Sequence, residues 1–272
     1  MADEKIPTLV SRKSKKEDTV VQLGSRVFGG ADFVIVAGPC AVESEHQLRT
    51  IAGSVARAGA DALRGGAYKP RTSPYSFQGL KDEGLRYLAM MREETGLPVV
   101  TEVVDVAAVE SVAQVADVLQ IGARNMHHVA LLHAAAATKK PIVLKRGPGS
   151  TVIEWLFAAE YILAAGNPNV ILCERGIRTF ETMTRYTLDL GVLPILREET
   201  HLPIFVDPSH GTGRSIAVGP LAKAAAALGA HGVMIEVHSD PKAALCDGEQ
   251  ALTCETFQAL VPALRAVRLA SG

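Results

Sequence analysis

A chain of 272 residues holds one large domain or two small ones, and its formal net charge of −1 offers no broad basic surface for nucleic acid or anionic membrane. Aromatic residues make up only 5%, which argues against a stacking platform for single strands. Cys40, Cys173, Cys246 and Cys254 form no CxxC pair, and neither a secretory signal nor a membrane-length apolar run is present, so a soluble cytoplasmic protein without a disulfide framework is predicted.

Residues 1–18 are polar and mixed in charge and read as a mobile arm ahead of a single domain over 19–272. "TVVQLGSRVF" (19–28) predicts a small hairpin turning at Leu23-Gly24-Ser25. One pattern then recurs eight times: a short apolar run, a polar or Gly/Pro turn, and a helical stretch. The runs are "FVIVAGPC" (33–40), "ALRGGAY" (62–68), "PVVTEVV" (98–104), "VLQIGA" (118–123), "PIVLKRG" (141–147), "NVILCERG" (169–176), "PIFVDPSH" (203–210) and "GVMIEVHS" (232–239). Continuous Val/Ile/Leu content predicts strands buried on both faces of a parallel sheet.

After the first run, Ser44 and Gln47 have capping-box spacing, Leu48, Ile51, Ala52 and Val55 form one apolar stripe, and Gly59 can end the helix. "TVIEWLFAAEYILAAG" and "PLAKAAAALGA" read as helices in the same way. In "TLDLGVLPILREETHLP", Gly191 and Pro194 break the pattern, so that helix is predicted to begin near Pro194. Eight β-then-α units predict an α/β fold, a (β/α)8 TIM barrel with a short N-terminal hairpin and no regulatory domain. The alternative, a doubly wound open sheet, lacks its signature, since no GxGxxG follows the first strand.

A barrel of this kind carries its active site at the C-terminal strand ends. Those ends hold Cys40; Arg64, Lys69 and Arg71; Glu102; Gln120 and Arg124; Lys145 and Arg146; Glu174 and Arg175; Asp207 and His210; Glu236 and His238. Arg124, Lys145 and Arg175 come from successive strand ends and should converge on one anion, typically a phosphate. The competing reading is three separate salt bridges to Glu102, Glu174 and Asp207. Arg71 and Thr72, on the stretch "RGGAYKPRTSPYSF" (64–77), can hold a second phosphate some distance away.

Cys40, His210, Glu236 and Asp247 follow strands one, seven and eight, and strands one and eight become neighbours when the barrel closes. Thiolate, imidazole and two carboxylates suit a divalent transition metal. Each taken alone has an ordinary reading: Cys40 as a small buried residue, His210 as a hydrogen-bonded loop histidine, Asp247 as a turn residue. Cys173 and Cys254 read as packing residues, Cys246 as local filler, and His127 and His128 as residues of a helix start.

"AGPCAVES", "GGAYKPRTSPYSFQG", "QIGARNMHH", "LKRG", "CERGIRTFE", "DPSHGTGRS" and "MIEVHSDPKAALCDGEQAL" together resemble the 3-deoxy-D-arabino-heptulosonate 7-phosphate (DAHP) synthase family, in the branch similar to 3-deoxy-octulosonate 8-phosphate synthase. The likeness runs in order from about residue 20 to the C-terminus and covers every strand end. It implies condensation of phosphoenolpyruvate with erythrose 4-phosphate, the first step of the shikimate pathway, in a homo-oligomer (dimer or tetramer) with no nucleic-acid or membrane partner. It also implies one divalent metal ion, manganese foremost and iron, cobalt or zinc otherwise, on Cys40, His210, Glu236 and Asp247.

By the same resemblance, phosphoenolpyruvate phosphate falls to Ala123 (backbone), Arg124, Lys145 and Arg175, and its carboxylate lies near Arg64 and Lys69. The sugar phosphate falls to Pro70, Arg71, Thr72 and Ser73; Lys69 is placed to donate a proton to the new alkoxide, and either a metal-bound water or His210 can manage the water proton, a choice the sequence leaves open. Three other readings remain open at this level: the eight-carbon synthase acting on arabinose 5-phosphate, a Schiff-base aldolase using Lys145, and a non-catalytic barrel that binds sugar phosphates. The short segment ahead of the first barrel strand also predicts no feedback inhibition by aromatic amino acids.

Overall fold

Each of the eight apolar runs forms a parallel strand, and the strands close into one barrel in sequence order. The computed structural model describes residues 5–24, 26–70 and 73–271. An antiparallel hairpin, β1 (Val21–Leu23) and β2 (Arg26–Phe28), precedes the barrel. The barrel strands are β3 (Val34–Gly38), β4 (Ala62–Arg64), β5 (Val99–Val103), β6 (Val118–Ile121), β7 (Ile142–Lys145), β8 (Val170–Glu174), β9 (Ile204–Val206) and β10 (Gly232–Glu236). Pairing of β10 with β3, from Gly232 opposite Val34 to Glu236 opposite Gly38, completes the ring.

The helices are α1 (Glu45–Ala58), α2 (Asp82–Thr95), α3 (Val109–Val115), α4 (Val129–Ala137), α5 (Val152–Ala164), α6 (Val192–Glu199), α7 (Pro208–Thr212), α8 (Ser215–Ala227) and α9 (Cys254–Ser271). In α1 the Ser44 hydroxyl accepts from Gln47 N at 3.1 Å and Gly59 closes the helix at φ 92°. The capping box is only half made, because the Gln47 amide oxygen accepts from Glu43 N instead. Helix α6 starts at Val192, two residues ahead of Pro194, and α8 starts at Ser215, so Pro220 lies inside it. The run 203–210 does not stay extended: β9 ends at Val206 and residues 208–212 turn into α7, with Asp207 accepting from His210 N at the start.

The seemingly uniform apolar strands conceal an alternation with period two. Val34 and Val36, Ala62, Val100, Val118, Val143, Ile171, Phe205 and Met234 join Val21, Leu23 and Phe28 of the hairpin in one buried cluster inside the barrel. The hairpin therefore plugs the N-terminal mouth, with the Phe28 and Phe205 rings 4.5 Å apart between centroids. Residues of the opposite parity, such as Ile35, Leu63, Leu119 and Leu144, pack instead with Leu48, Ile51, Leu88 and Trp155 of the helices. Gly38 permits the tight passage from β3 into the following loop: its φ is 152°, and a side chain there would collide with the Arg64 carbonyl.

Residues 5–18, expected as an arm, run along the helical shell in this structure. The Leu9 and Val10 amides donate to the Glu160 carboxylate of α5 at 2.8 and 2.9 Å. Arg12 donates to the carbonyls of Arg197 and Thr200.

At the same end of the barrel, buried His231 accepts from Ile204 N at 3.0 Å through Nδ1, so it must stay neutral there. Burial, with Arg197 and Arg268 nearby, pushes its pKa from 6.5 down to about 4. The unfolded chain therefore binds a proton that the native state refuses as the pH falls from 6.5 towards 4. Stability should be full above pH 6.5 and should drop by about 3 kcal/mol across that window. His231→Asn, which keeps an acceptor, should flatten this part of a urea-denaturation pH profile; an unchanged slope would assign the acid sensitivity elsewhere.

Candidate active site

The inward parity that fills the lower barrel with Val, Ile and Phe continues upward as polar side chains. Two residues beyond Ala62, Val100, Val118, Val143, Phe205 and Met234 stand Arg64, Glu102, Gln120, Lys145, Asp207 and Glu236, and two beyond Cys173 stands Arg175. Two beyond Gly38 comes Cys40. The barrel thus changes from apolar plug to charged cup within one side-chain layer.

On the side where β3 meets β10, one ligand atom each from Cys40, His210, Glu236 and Asp247 lies within 4.8 Å of the others. Cys40 Sγ donates to Asp247 Oδ2 at 3.0 Å, and His210 Nε2 is 3.2 Å from Glu236 Oε1. The hydrogen bond shared with the Cys246 thiol, burial and the Glu236 carboxylate push the Cys40 thiol well above its usual range. Burial would raise the Glu236 carboxyl, but His210 and Arg64 outweigh it and hold it at about 2. One sulfur, one nitrogen and two carboxylates at this spacing can hold a divalent cation, which would also allow the thiol to give up its proton. Asp247 takes up its position with left-handed backbone, φ 54°, a conformation uncommon outside glycine.

A second set of side chains holds these four in place. Glu236 is gripped by Arg64 and by the Gln250 amide at 2.6 Å. The His210 imidazole meets Asp207 Oδ2 through Nδ1 at 2.7 Å, and Arg185 donates to Asp247 Oδ1 at 3.2 Å. Lys69 reaches across with Nζ 3.1 Å from Cys40 Sγ and 3.2 Å from the Cys40 carbonyl.

Above the cluster opens a cavity of about 460 Å³. Among the described residues its lining carries the cations Arg64, Lys69, Arg124, Lys145, Arg175, Arg178 and Arg185 against the carboxylates Glu102 and Asp247. The salt-bridge alternative holds for only one of the three converging cations. Lys145 Nζ pairs with Asp207 Oδ2 at 2.6 Å. Glu174 pairs instead with Arg146, whose parity points away from the cup, at 2.9 Å. Glu102 accepts from Gln120 at 3.1 Å. Arg124 donates to the Pro70 carbonyl, and Arg175 to the Gly176 carbonyl at a long 3.4 Å. Excess positive charge in a walled cavity favours an anionic ligand.

The structure therefore gathers Cys40, Arg64, Lys69, Pro70, Ser73, Ala123, Arg124, Lys145, Arg175, His210, Glu236 and Asp247 around one cavity and the cluster beneath it. Arg71 and Thr72 lie outside the described residues. His127 stays apart, bonded to the Ser150 hydroxyl at 3.0 Å. Cys173 is fully buried within the barrel. Sequence reasoning missed several contributors: Cys246, whose sulfur is 3.5 Å from that of Cys40, Gln250 behind Glu236, Tyr186 beside Arg175, Arg185 on Asp247, and Arg178 in the cavity wall. Only Cys246 carried a signal, its adjacency to Asp247.

Solved structures share this architecture. The crystal structure of a phospho-2-dehydro-3-deoxyheptonate aldolase (DAHP synthase) from Thermotoga maritima superposes with a TM-score of 0.94 at 50% identity, over 97% of this chain and 77% of that one. A truncated form of 3-deoxy-D-arabino-heptulosonate 7-phosphate synthase from Thermotoga maritima gives 0.90 at 47% identity, over 97% of both chains. In sequence, the phospho-2-dehydro-3-deoxyheptonate aldolase of Thermotoga maritima is 51% identical over 97% of this chain and 78% of its own length. A 2-dehydro-3-deoxyphosphooctonate aldolase from Nitrobacter hamburgensis is 36% identical over 91% of this chain and 92% of its own. Residues 15–268, a span that includes every barrel strand and all four clustered ligand residues, match the model of the DAHP synthetase I family, and the chain belongs to that family.

Proposed function

We propose that this enzyme condenses phosphoenolpyruvate with erythrose 4-phosphate and water, giving 3-deoxy-D-arabino-heptulosonate 7-phosphate and inorganic phosphate. The observation that carries the reading is one cavity with two complementary walls: a four-donor cluster suited to a cation, and a bank of cations among which Arg124 and Arg175 have no carboxylate within salt-bridge distance among the described residues. The 51% identity to a protein named for this activity supports the same choice.

In this reading Ala123 (through its backbone), Arg124, Lys145 and Arg175 bind the phosphate of phosphoenolpyruvate, and Arg64 and Lys69 face its carboxylate. Pro70, Arg71, Thr72 and Ser73 take the sugar phosphate at the outer end. Cys40, His210, Glu236 and Asp247 hold a divalent metal, with manganese as the first candidate. When bound, the ion supplies a Lewis acid for the aldehyde oxygen. Gripping the sugar at its far phosphate and the enol ether at its own phosphate brings the aldehyde carbon and C3 within attack distance. Lys69, beside Cys40, hands a proton to the developing alkoxide, and Asp207 holds the His210 imidazole through Nδ1, so that Nε2 faces the cluster. Lys145 does not serve as a Schiff-base nucleophile, because its nitrogen is held by the buried Asp207 carboxylate. Four unbridged cysteines are consistent with a reducing cytoplasm, and among the described residues no helix is long and apolar enough to cross a membrane.

The test is phosphate release from phosphoenolpyruvate with each sugar phosphate. The distance from the cluster to the outer loop sets sugar length, so erythrose 4-phosphate should be preferred over arabinose 5-phosphate by on the order of 100-fold in kcat/KM. Arg71→Ala should lose most turnover while sparing phosphoenolpyruvate binding. Equal or better use of arabinose 5-phosphate would reassign the enzyme to the eight-carbon reaction named for its 36%-identical relative.

A further inference from the structure

Arg175 is a buried guanidinium that faces the cavity, yet nothing ionic orients it: among the described residues no carboxylate lies within salt-bridge distance, and its contact to the Gly176 carbonyl is long, 3.4 Å. A side chain of that length needs a fixed support if its planar fork is to meet a phosphate in one geometry. The support present is the ring of Tyr186, whose centroid lies 4.1 Å from Arg175 Cζ.

The loop between β8 and α6 is built to bring that ring back. Ile177 and Thr187 exchange backbone hydrogen bonds at 2.9 Å in both directions, closing the loop on itself, and Arg185 N is tied to the Thr212 carbonyl at 2.9 Å. Gly176, at φ 93°, gives the room: a Cβ there would sit 2.8 Å from Tyr186 Cβ. Burial would raise the Tyr186 phenol, but Arg175 and Arg185 outweigh it and hold it below its ordinary value, in keeping with close engagement of both cations.

We propose that Tyr186 is a positioning residue for phosphoenolpyruvate, its ring stacking on Arg175 and fixing the guanidinium in the phosphate-binding orientation. The inference rests on the assignment of Arg175 to that phosphate. The ring face is the working part, since a cation over an aromatic face is stabilised by the ring quadrupole, and the contact restricts the rotational freedom of the arginine.

The experiment is a double-mutant cycle on the metal-loaded enzyme, reading KM for each substrate, kcat, and direct phosphoenolpyruvate binding by calorimetry. Tyr186→Leu should weaken phosphoenolpyruvate binding about fivefold, with little change in KM for erythrose 4-phosphate. Tyr186→Phe keeps the ring and should stay within about twofold of the parent. In an Arg175→Ala background, Tyr186→Leu should add nothing. Should the leucine variant fail to fold, Tyr186→Gln is read in the same way. If Arg175→Ala itself leaves phosphoenolpyruvate affinity intact, the phosphate assignment is wrong. If Arg175→Ala weakens binding but the Tyr186 effect adds to it in full, or Tyr186→Phe is as poor as Tyr186→Leu, the positioning role is overturned.

Discussion

Treatment with a strong chelator should abolish turnover, and readdition of a divalent metal should restore it. The four donors, within 4.8 Å of one another, combine a thiol, an imidazole and two carboxylates, a set that suits one divalent transition metal. Cys40→Ser removes the one soft ligand, and metal affinity should fall by at least about 100-fold, since loss of even an outer-shell partner costs 10–100-fold. Cobalt titration reads this without any assay: the parent should develop a thiolate-to-metal absorption band and the serine variant should not. Full turnover by metal-free protein would remove the cluster from the reaction.

Lys145→Met should be the most damaging change among the cavity cations, and in two ways. It removes a charged group assigned to phosphate, and it strands the Asp207 carboxylate, which is fully buried. Breaking one side of a buried pair costs about 3–5 kcal/mol, which in a chain of this size lowers the melting temperature by on the order of 10 °C. Asp207→Asn in that background neutralises the stranded charge yet keeps an acceptor for His210 N at the start of α7. The double variant should regain most of the lost thermal stability and none of the activity. Recovery of activity together with stability would reduce Lys145 to a structural counter-ion.

The barrel was readable in the sequence because strands buried on both faces leave continuous Val/Ile/Leu runs of fixed recurrence. Which side each residue faces was harder to read, and most of the site depends on it. Lys145 and Arg146 are neighbours in sequence, yet the first lines the cup with Asp207 while the second pairs with Glu174 behind it. The parity of the apolar interior could have separated them. Helix α7 was missed because five residues carry no periodicity, so His210 was expected on an extended strand end. Tyr186 was invisible for a different reason: its partner Arg175 is reached only because Gly176 lets the loop fold back. Arg71 and Thr72 were legible as chemistry, and they lie outside the described residues.

The seam between β3 and β10 has a consequence for how the protein is made. His210, Glu236 and Asp247 arrive late in the chain, whereas Cys40 belongs to its beginning. Until the first and last barrel strands pair, the polypeptide carries at most three of its four donors together, and the Cys40 sulfur stays open to thiol reagents. Contacts of such wide sequence separation form slowly, because loop-closure entropy is lost before they stabilise anything. Burial of that one sulfur is thus a built-in clock for ring closure, and the meeting of all four donors marks a chain that has finished folding.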